Sequence, residues 1–172
     1  MTKAQLSLTG GIVAHQDWGV PKIQYVHDLV LEGDGTGYGI HCDASYVVFE
    51  RVWVRGFYIN LVLSNAVSVT FRSCHFSRAT EANVFIPWNT IATTIVFDAC
   101  AFRGAPYGLM IQTGAGISLV NRCIVELNTK AGVVIDPQPG SPFPLRDIVL
   151  DHVWFEANPT NIVGREWATI VG

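Results

Sequence analysis

Few residues of this chain are of types that could do chemistry, and they fall into three groups. Four carboxylates, Asp98, Asp151, Glu126 and Glu156, recur in similar local contexts, and two carboxylates held at a fixed separation can divide the roles of acid and base. Three indoles, Trp53, Trp88 and Trp154, would offer a ring-shaped ligand such as a sugar a flat apolar platform with a polar edge. They would serve equally well at a subunit contact, where Trp is enriched. The third group is basic. Arg72, Arg122, His75 and His152 could neutralise an acidic ligand or take a proton from it, and the sequence singles out none of them.

Other chemistries find no support. Cys42, Cys74, Cys100 and Cys123 contain no C-x-x-C pair, and the five histidines contain no H-x-x-x-H pair, so no metal site is expected. Gly33-x-Gly35-x-Gly37 follows an extended run but opens no amphipathic helix, which makes a dinucleotide site a poor reading. Nucleophile-elbow and Walker A patterns are absent. No cofactor is implied.

The elements that would have to position these groups are set by an unusual composition. The chain has 172 residues, 49% hydrophobic and only 15% charged, against roughly 25% charged in an average soluble domain. That is long enough for one domain with a proper core and too apolar for intrinsic disorder. A net charge of −3 argues against a nucleic-acid footprint, which is normally basic. Charged or turn residues interrupt every apolar stretch before about 18 residues, so membrane insertion is not expected. Met1-Thr2-Lys3-Ala4-Gln5 lacks the apolar run of a signal peptide.

Internal repetition supplies the architecture. A small or amide residue followed by an apolar triplet appears as Gly39-Ile40-His41-Cys42, Asn60-Leu61-Val62-Leu63 and Asn83-Val84-Phe85-Ile86. It returns as Gly108-Leu109-Met110-Ile111, Gly132-Val133-Val134-Ile135 and Asn161-Ile162-Val163-Gly164, at intervals of 21, 23, 25, 24 and 29 residues. Within each interval lies a second pattern, two short apolar runs separated by a polar bend. Examples are Val48-Phe49-Glu50-Arg51-Val52-Trp53-Val54 and Val96-Phe97-Asp98-Ala99-Cys100-Ala101-Phe102. The runs are β-branched and aromatic, three to five residues long, and show no stripe at helical spacing. Three short strands per coil predict an all-β fold, a right-handed single-stranded parallel β-helix of about six to seven coils over residues 23-172. Residues 1-22 form a lead-in strand or loop.

Alternation along each strand assigns directions. Inward columns are Ile40, Leu61, Val84, Leu109, Val133 and Ile162, then Phe49, Phe71, Phe97, Val120 and Leu150. The third strands contribute Val52, Cys74, Cys100, Cys123 and Val153, followed by Val54, Phe76, Phe102, Val125 and Phe155. Cysteine thus shares a column with valine and reads as a small buried hydrophobe. Outward rows such as His41, Val62, Phe85, Met110, Val134 and Val163, or Val48, Thr70, Val96, Leu119 and Val149, are apolar for a solvent-facing surface. Such a stripe is normally an interaction surface, here one that a symmetric trimer would bury.

With coils about 4.8 Å apart, the carboxylates acquire separations. Glu126 and Glu156, on neighbouring coils in the column Arg55, Ser77, Arg103, Glu126, Glu156, stand about 5 Å apart, a spacing suited to a retaining pair. Asp98 and Asp151, two coils apart in the bend column Glu50, Arg72, Asp98, Asn121, Asp151, stand about 9.6 Å apart, at the wide limit for an inverting pair. Bend positions must be polar in any case, and pairing of these acids with Arg72 or Arg103 explains them as well.

The coil motif Val69-Thr70-Phe71-Arg72-Ser73-Cys74-His75-Phe76 and its copies resembles that of the pectate-lyase-like superfamily of right-handed β-helices. The apolar outer rows look most like those of bacteriophage tailspikes and capsule depolymerases. The resemblance covers about residues 23 to 172 and rests on the coil pattern, which is specific for fold and weak for function. It implies polysaccharide as partner, held in a groove along the helix by Trp53, Trp154, Trp88, His75 and Arg72, and a homotrimer on a virion tail or in another extracellular setting. It also implies a polysaccharide lyase or glycoside hydrolase, if an enzyme at all, with Glu126, Glu156, Asp98 and Asp151 as the candidate acids. A monomeric secreted enzyme of the same superfamily and a non-catalytic structural solenoid remain alternatives. The start without a capping helix and the last coil, barely begun at Val171-Gly172, are what a piece of a longer solenoid would show.

Overall fold

The computed structural model describes residues 6–10, 23–112, 115–137, 139 and 147–172; the expected lead-in therefore lies outside them apart from the strand Leu6–Gly10. Every strand pairing among the described residues is parallel. The strands stack in three columns that wind into a β-solenoid of about six turns. The expected all-β parallel β-helix is thus the observed fold.

The first stack contains Leu6–Gly10, the leading half of Tyr38–Glu50, Ile59–Leu63, Ala82–Ile86, Tyr107–Ile111, Ala131–Ile135 and Ile162–Val163. The second contains Gln24–His27, the trailing half of Tyr38–Glu50, Ala66–Arg72, Ala92–Asp98, Ala115–Val120, Ile148–Asp151 and Ala168–Val171. The third is a separate six-stranded sheet of three-residue strands: Val30–Glu32, Trp53–Arg55, His75–Ser77, Ala101–Arg103, Ile124–Glu126 and Trp154–Glu156. Tyr38–Glu50 runs unbroken through two stacks and so joins them into one 13-stranded sheet.

A single left-handed residue turns the chain from second to third strand on successive rungs. Asp28, Arg51, Ser73, Ala99 and His152 occupy this place with φ between 49° and 52°. One residue in that conformation reverses the pleat, so the short third strands can begin at once. The exception is the rung of Cys123, where both Asn121 (φ 56°) and Arg122 (φ 61°) are left-handed. The bend there is one residue longer, and Phe97 pairs with Leu119. Leu119 is therefore the inward residue, fully buried, while Val120 is only half-buried. This corrects the expected column, in which Val120 pointed inward and Leu119 outward.

The remaining inward columns fill the interior as anticipated. Phe49, Phe71 and Phe97 stack face to face at 4.8 Å between successive rings, and Phe76 lies over Phe102 at 5.6 Å. All five are fully buried. Such identical-residue ladders let each ring meet the next at the spacing the rungs impose. All four cysteines are free and buried. Burial pushes the Cys42 thiol up to about 12 and raises that of Cys100 as well. Cys74, Cys100 and Cys123 each donate weakly to a carbonyl of the preceding rung, that of Phe49, Phe71 or Phe97, at 3.3–3.5 Å.

A ladder of buried amides closes the corner between third and first stacks. Asn60 donates to the Asn83 side-chain oxygen at 2.8 Å and to the Ser77 carbonyl at 2.9 Å, and Asn83 donates to the Arg103 carbonyl at 3.2 Å. On the next rung the equivalent position is Gly108, and Asn128 enters the corner from the turn instead, bonding the Phe102 carbonyl and Asn158. A Cβ at Gly108 would lie 2.4 Å from the Gly132 carbonyl oxygen and 3.1 Å from the Asn128 amide nitrogen. Glycine thus stands at Gly108, where the neighbouring carbonyl and the Asn128 amide leave no room for a side chain.

Candidate functional site

The third stack presents two outward columns, because each three-residue strand buries only its middle side chain. The first column is Val30, Trp53, His75, Ala101, Ile124 and Trp154. The second is Glu32, Arg55, Ser77, Arg103, Glu126 and Glu156. Long side chains at Trp53, Arg55 and Arg103 surround short ones at Ser77 and Ala101, and this difference in length leaves a groove. Its volume is about 350 Å³, and Trp53, Arg55, His75, Ser77, Arg78 and Arg103 line most of it.

Charge in the groove is of one sign. Three of the chain's eleven Lys and Arg residues line it, and no carboxylate does. Glu32 and Glu126 flank it and hold the guanidiniums in place: Arg55 Nη2 lies 3.1 Å from Glu32 and Arg103 Nη2 lies 3.2 Å from Glu126. His75 stands in the middle, edge-on to Trp53 with ring centroids 5.4 Å apart. Burial, reinforced by the charge of Arg103 and partly offset by Glu126, lowers its pKa from the ordinary imidazole value. Two buried polar atoms here, Arg55 Nε and His75 Nε2, have no hydrogen-bond partner.

The structure gathers some of the expected site residues and separates others. Trp53 and His75 share the groove. Trp154 is in the same column as Trp53 but four rungs away, with its indole N–H donating to Glu156 at 3.1 Å. Glu126 and Glu156 are direct register partners, as their spacing required. Both are engaged, one by Arg103 and one by Trp154. Asp98 accepts a 2.7 Å hydrogen bond from Asn121, and Asp151 sits 2.6 Å from the His152 imidazole. Val120, not Asn121, is the register partner of Asp98.

Arg72 ends a second-stack strand, and Trp88 sits in the loop after the first-stack strand Ala82–Ile86, so neither lines the groove. Conversely, Arg55, Arg78 and Arg103 belong to it without having been singled out as ligand contacts. The signal was present in the column Arg55, Ser77, Arg103: two cations with a small residue between them, all facing outward.

Among the described residues no group of three or more His, Cys, Asp or Glu side chains is placed to hold a metal ion, and no helix is long and apolar enough to cross a membrane. No family model, curated protein or solved structure matches this chain. Fold and groove together define a parallel β-solenoid with a cationic, tryptophan-edged groove on one of its three faces.

Proposed function

We propose that this chain is a tailspike-like β-solenoid that binds bacterial surface polysaccharide along the outer face of its third stack. The observation that carries the reading is the half-exposed indole of Trp53 at the edge of a groove floored by polar side chains. An apolar ring surface beside hydrogen-bonding groups is the combination that suits a pyranose, which has both. The groove runs along the solenoid axis, so an extended glycan would lie across successive rungs. Binding without cleavage is the form we favour. Glu126 is held by Arg103 and Glu156 by Trp154, so neither is a free acid or base.

The same reading takes the working unit to be a homotrimer on a virion tail or in another extracellular setting. It is supported by the apolar outward row of the first stack. Val62 is already shielded by its neighbours, while Phe85, Met110 and Val134 are half-buried and Val163 is exposed. Two further copies would cover that row.

The test is a binding screen against purified capsular polysaccharides and O-antigens, run with the native chain and with Trp53→Ala, alongside molar mass by light scattering. Glycan binding that Trp53→Ala abolishes at unchanged mass supports the reading. Loss of mass with glycan affinity intact assigns the indole to a subunit contact instead. Release of reducing ends, abolished by Glu126→Gln, would replace binding alone with depolymerisation.

A further inference from the structure

We propose that the third-stack groove is a site for the carboxylates of an acidic polysaccharide, with Arg55 and Arg103 as two anion clamps and His75 between them. This deepens the polysaccharide reading and rests on it.

The sequence places the two arginines in one outward column, separated by Ser77 on the intervening rung. Parallel in-register pairing then fixes their backbones about 9.6 Å apart, two rung spacings. Each guanidinium has five N–H donors in a rigid fork, and only one end of each fork is taken up by the flanking glutamates. Glu32 and Glu126 are not among the lining residues, so each holds one end of its fork from outside while Arg55 and Arg103 line the groove. Arg55 Nε is buried with no partner among the described residues, and so is His75 Nε2. Buried polar atoms are normally satisfied, and both of these belong to residues that line the same cationic groove. Arg78, exposed on the turn at the rim and without an ion pair among the described residues, adds a further positive charge.

Polymer class follows from the surroundings. One rung advances about as far as one sugar of an extended chain, so clamps two rungs apart match a glycan charged on every second residue. A nucleic acid carries charge on every unit, so its backbone would set phosphates against Glu32 and Glu126 on the rungs next to the clamps, where the uncharged sugars of such a glycan would fall.

The test is calorimetric titration of the full chain with four probes of matched length: hyaluronate oligosaccharide, with a carboxylate on every second sugar, neutral dextran, dextran sulfate and oligothymidylate. We expect hyaluronate to bind at least about tenfold more tightly than dextran, with affinity falling as salt screens the groove. Arg55→Gln and Arg103→Gln should each weaken it about tenfold or more, a loss in the range of one charge-assisted hydrogen bond. Arg78→Gln, at an exposed and unpaired position, provides a variant whose folding is not at issue and should also weaken hyaluronate binding. Equal affinity for hyaluronate and dextran, unmoved by the arginine variants, would overturn the acidic-ligand assignment while leaving the polysaccharide reading in place. Tighter binding of dextran sulfate than of hyaluronate would overturn carboxylate as the ligand group. Preference for oligothymidylate, or no binding of any probe, would overturn both.

Discussion

The imidazole of His75 meets the indole of Trp53 edge to face, with planes inclined at 75° and His75 Nε2 buried with no hydrogen-bond partner among the described residues. A ring that is meant only to pack would be cheaper as phenylalanine, which leaves no polar atom unsatisfied. The residue types on these two neighbouring rungs thus favour ligand over core, and the same geometry fixes how the site responds to acid.

That response has a definite sign. Burial and Arg103 lower the His75 pKa below its ordinary 6.5. Between the lowered value and about 6.5 the unfolded chain therefore binds more protons than the native one. Stability falls as pH drops through this window and ceases to fall once the native imidazole is also protonated. His75→Gln removes the titration, so its stability should decline less than the native chain's between about pH 8 and about pH 5. Urea midpoints at both pH values measure the difference; parallel declines would mean that His75 is not the desolvated group described.

The amide ladder should be costly to interrupt. Asn83 is fully buried, accepts from Asn60 and donates to the Arg103 carbonyl, which belongs to a residue of the groove. Asn83→Ala removes two hydrogen bonds from the buried corner, although Asn60 keeps the Ser77 carbonyl and the Arg103 carbonyl keeps the Arg78 N–H, and should cost roughly 1–3 kcal/mol. Equilibrium unfolding in urea reads this directly. A loss under about 0.5 kcal/mol, the range of unremarkable surface substitutions, would show the ladder to be dispensable.

Cysteine should be exchangeable for valine in its own column. Val52 occupies the rung before Cys74, and both are buried. Cys74→Val, Cys100→Val and Cys123→Val each enlarge the side chain by about one methyl group and should each cost no more than about 3 kcal/mol. The native thiols should react with a disulfide reagent only on unfolding, since they are inaccessible and burial raises Cys42 to about 12. Rapid labelling of the folded chain would contradict the packing described.

Particular residues show why the fold was more legible than the site. Phe49, Phe71 and Phe97 recur at nearly constant spacing beside a polar bend, and alternation alone turns them inward. The same alternation failed at Leu119 and Val120. Both are apolar, and an additional left-handed residue in the Asn121–Arg122 bend shifts the register without changing the pattern. Glu126 and Glu156 could be placed on neighbouring rungs from spacing. Their partners could not, because ion pairing depends on side-chain reach: Arg103 takes Glu126 across one rung, while Trp154 takes Glu156 within its own strand. Arg78 enters the groove from a turn, where no period predicts direction.

The most direct test is to map a bound polysaccharide fragment by nitrogen–proton correlation spectra of the full chain. The account predicts that the resonances that move are the Trp53 indole N–H, the side-chain N–H groups of Arg55 and Arg103, and the backbone amides of the strand His75–Ser77. Movement confined to Trp88 and the first stack, or a spectrum unchanged at saturating glycan, would contradict it.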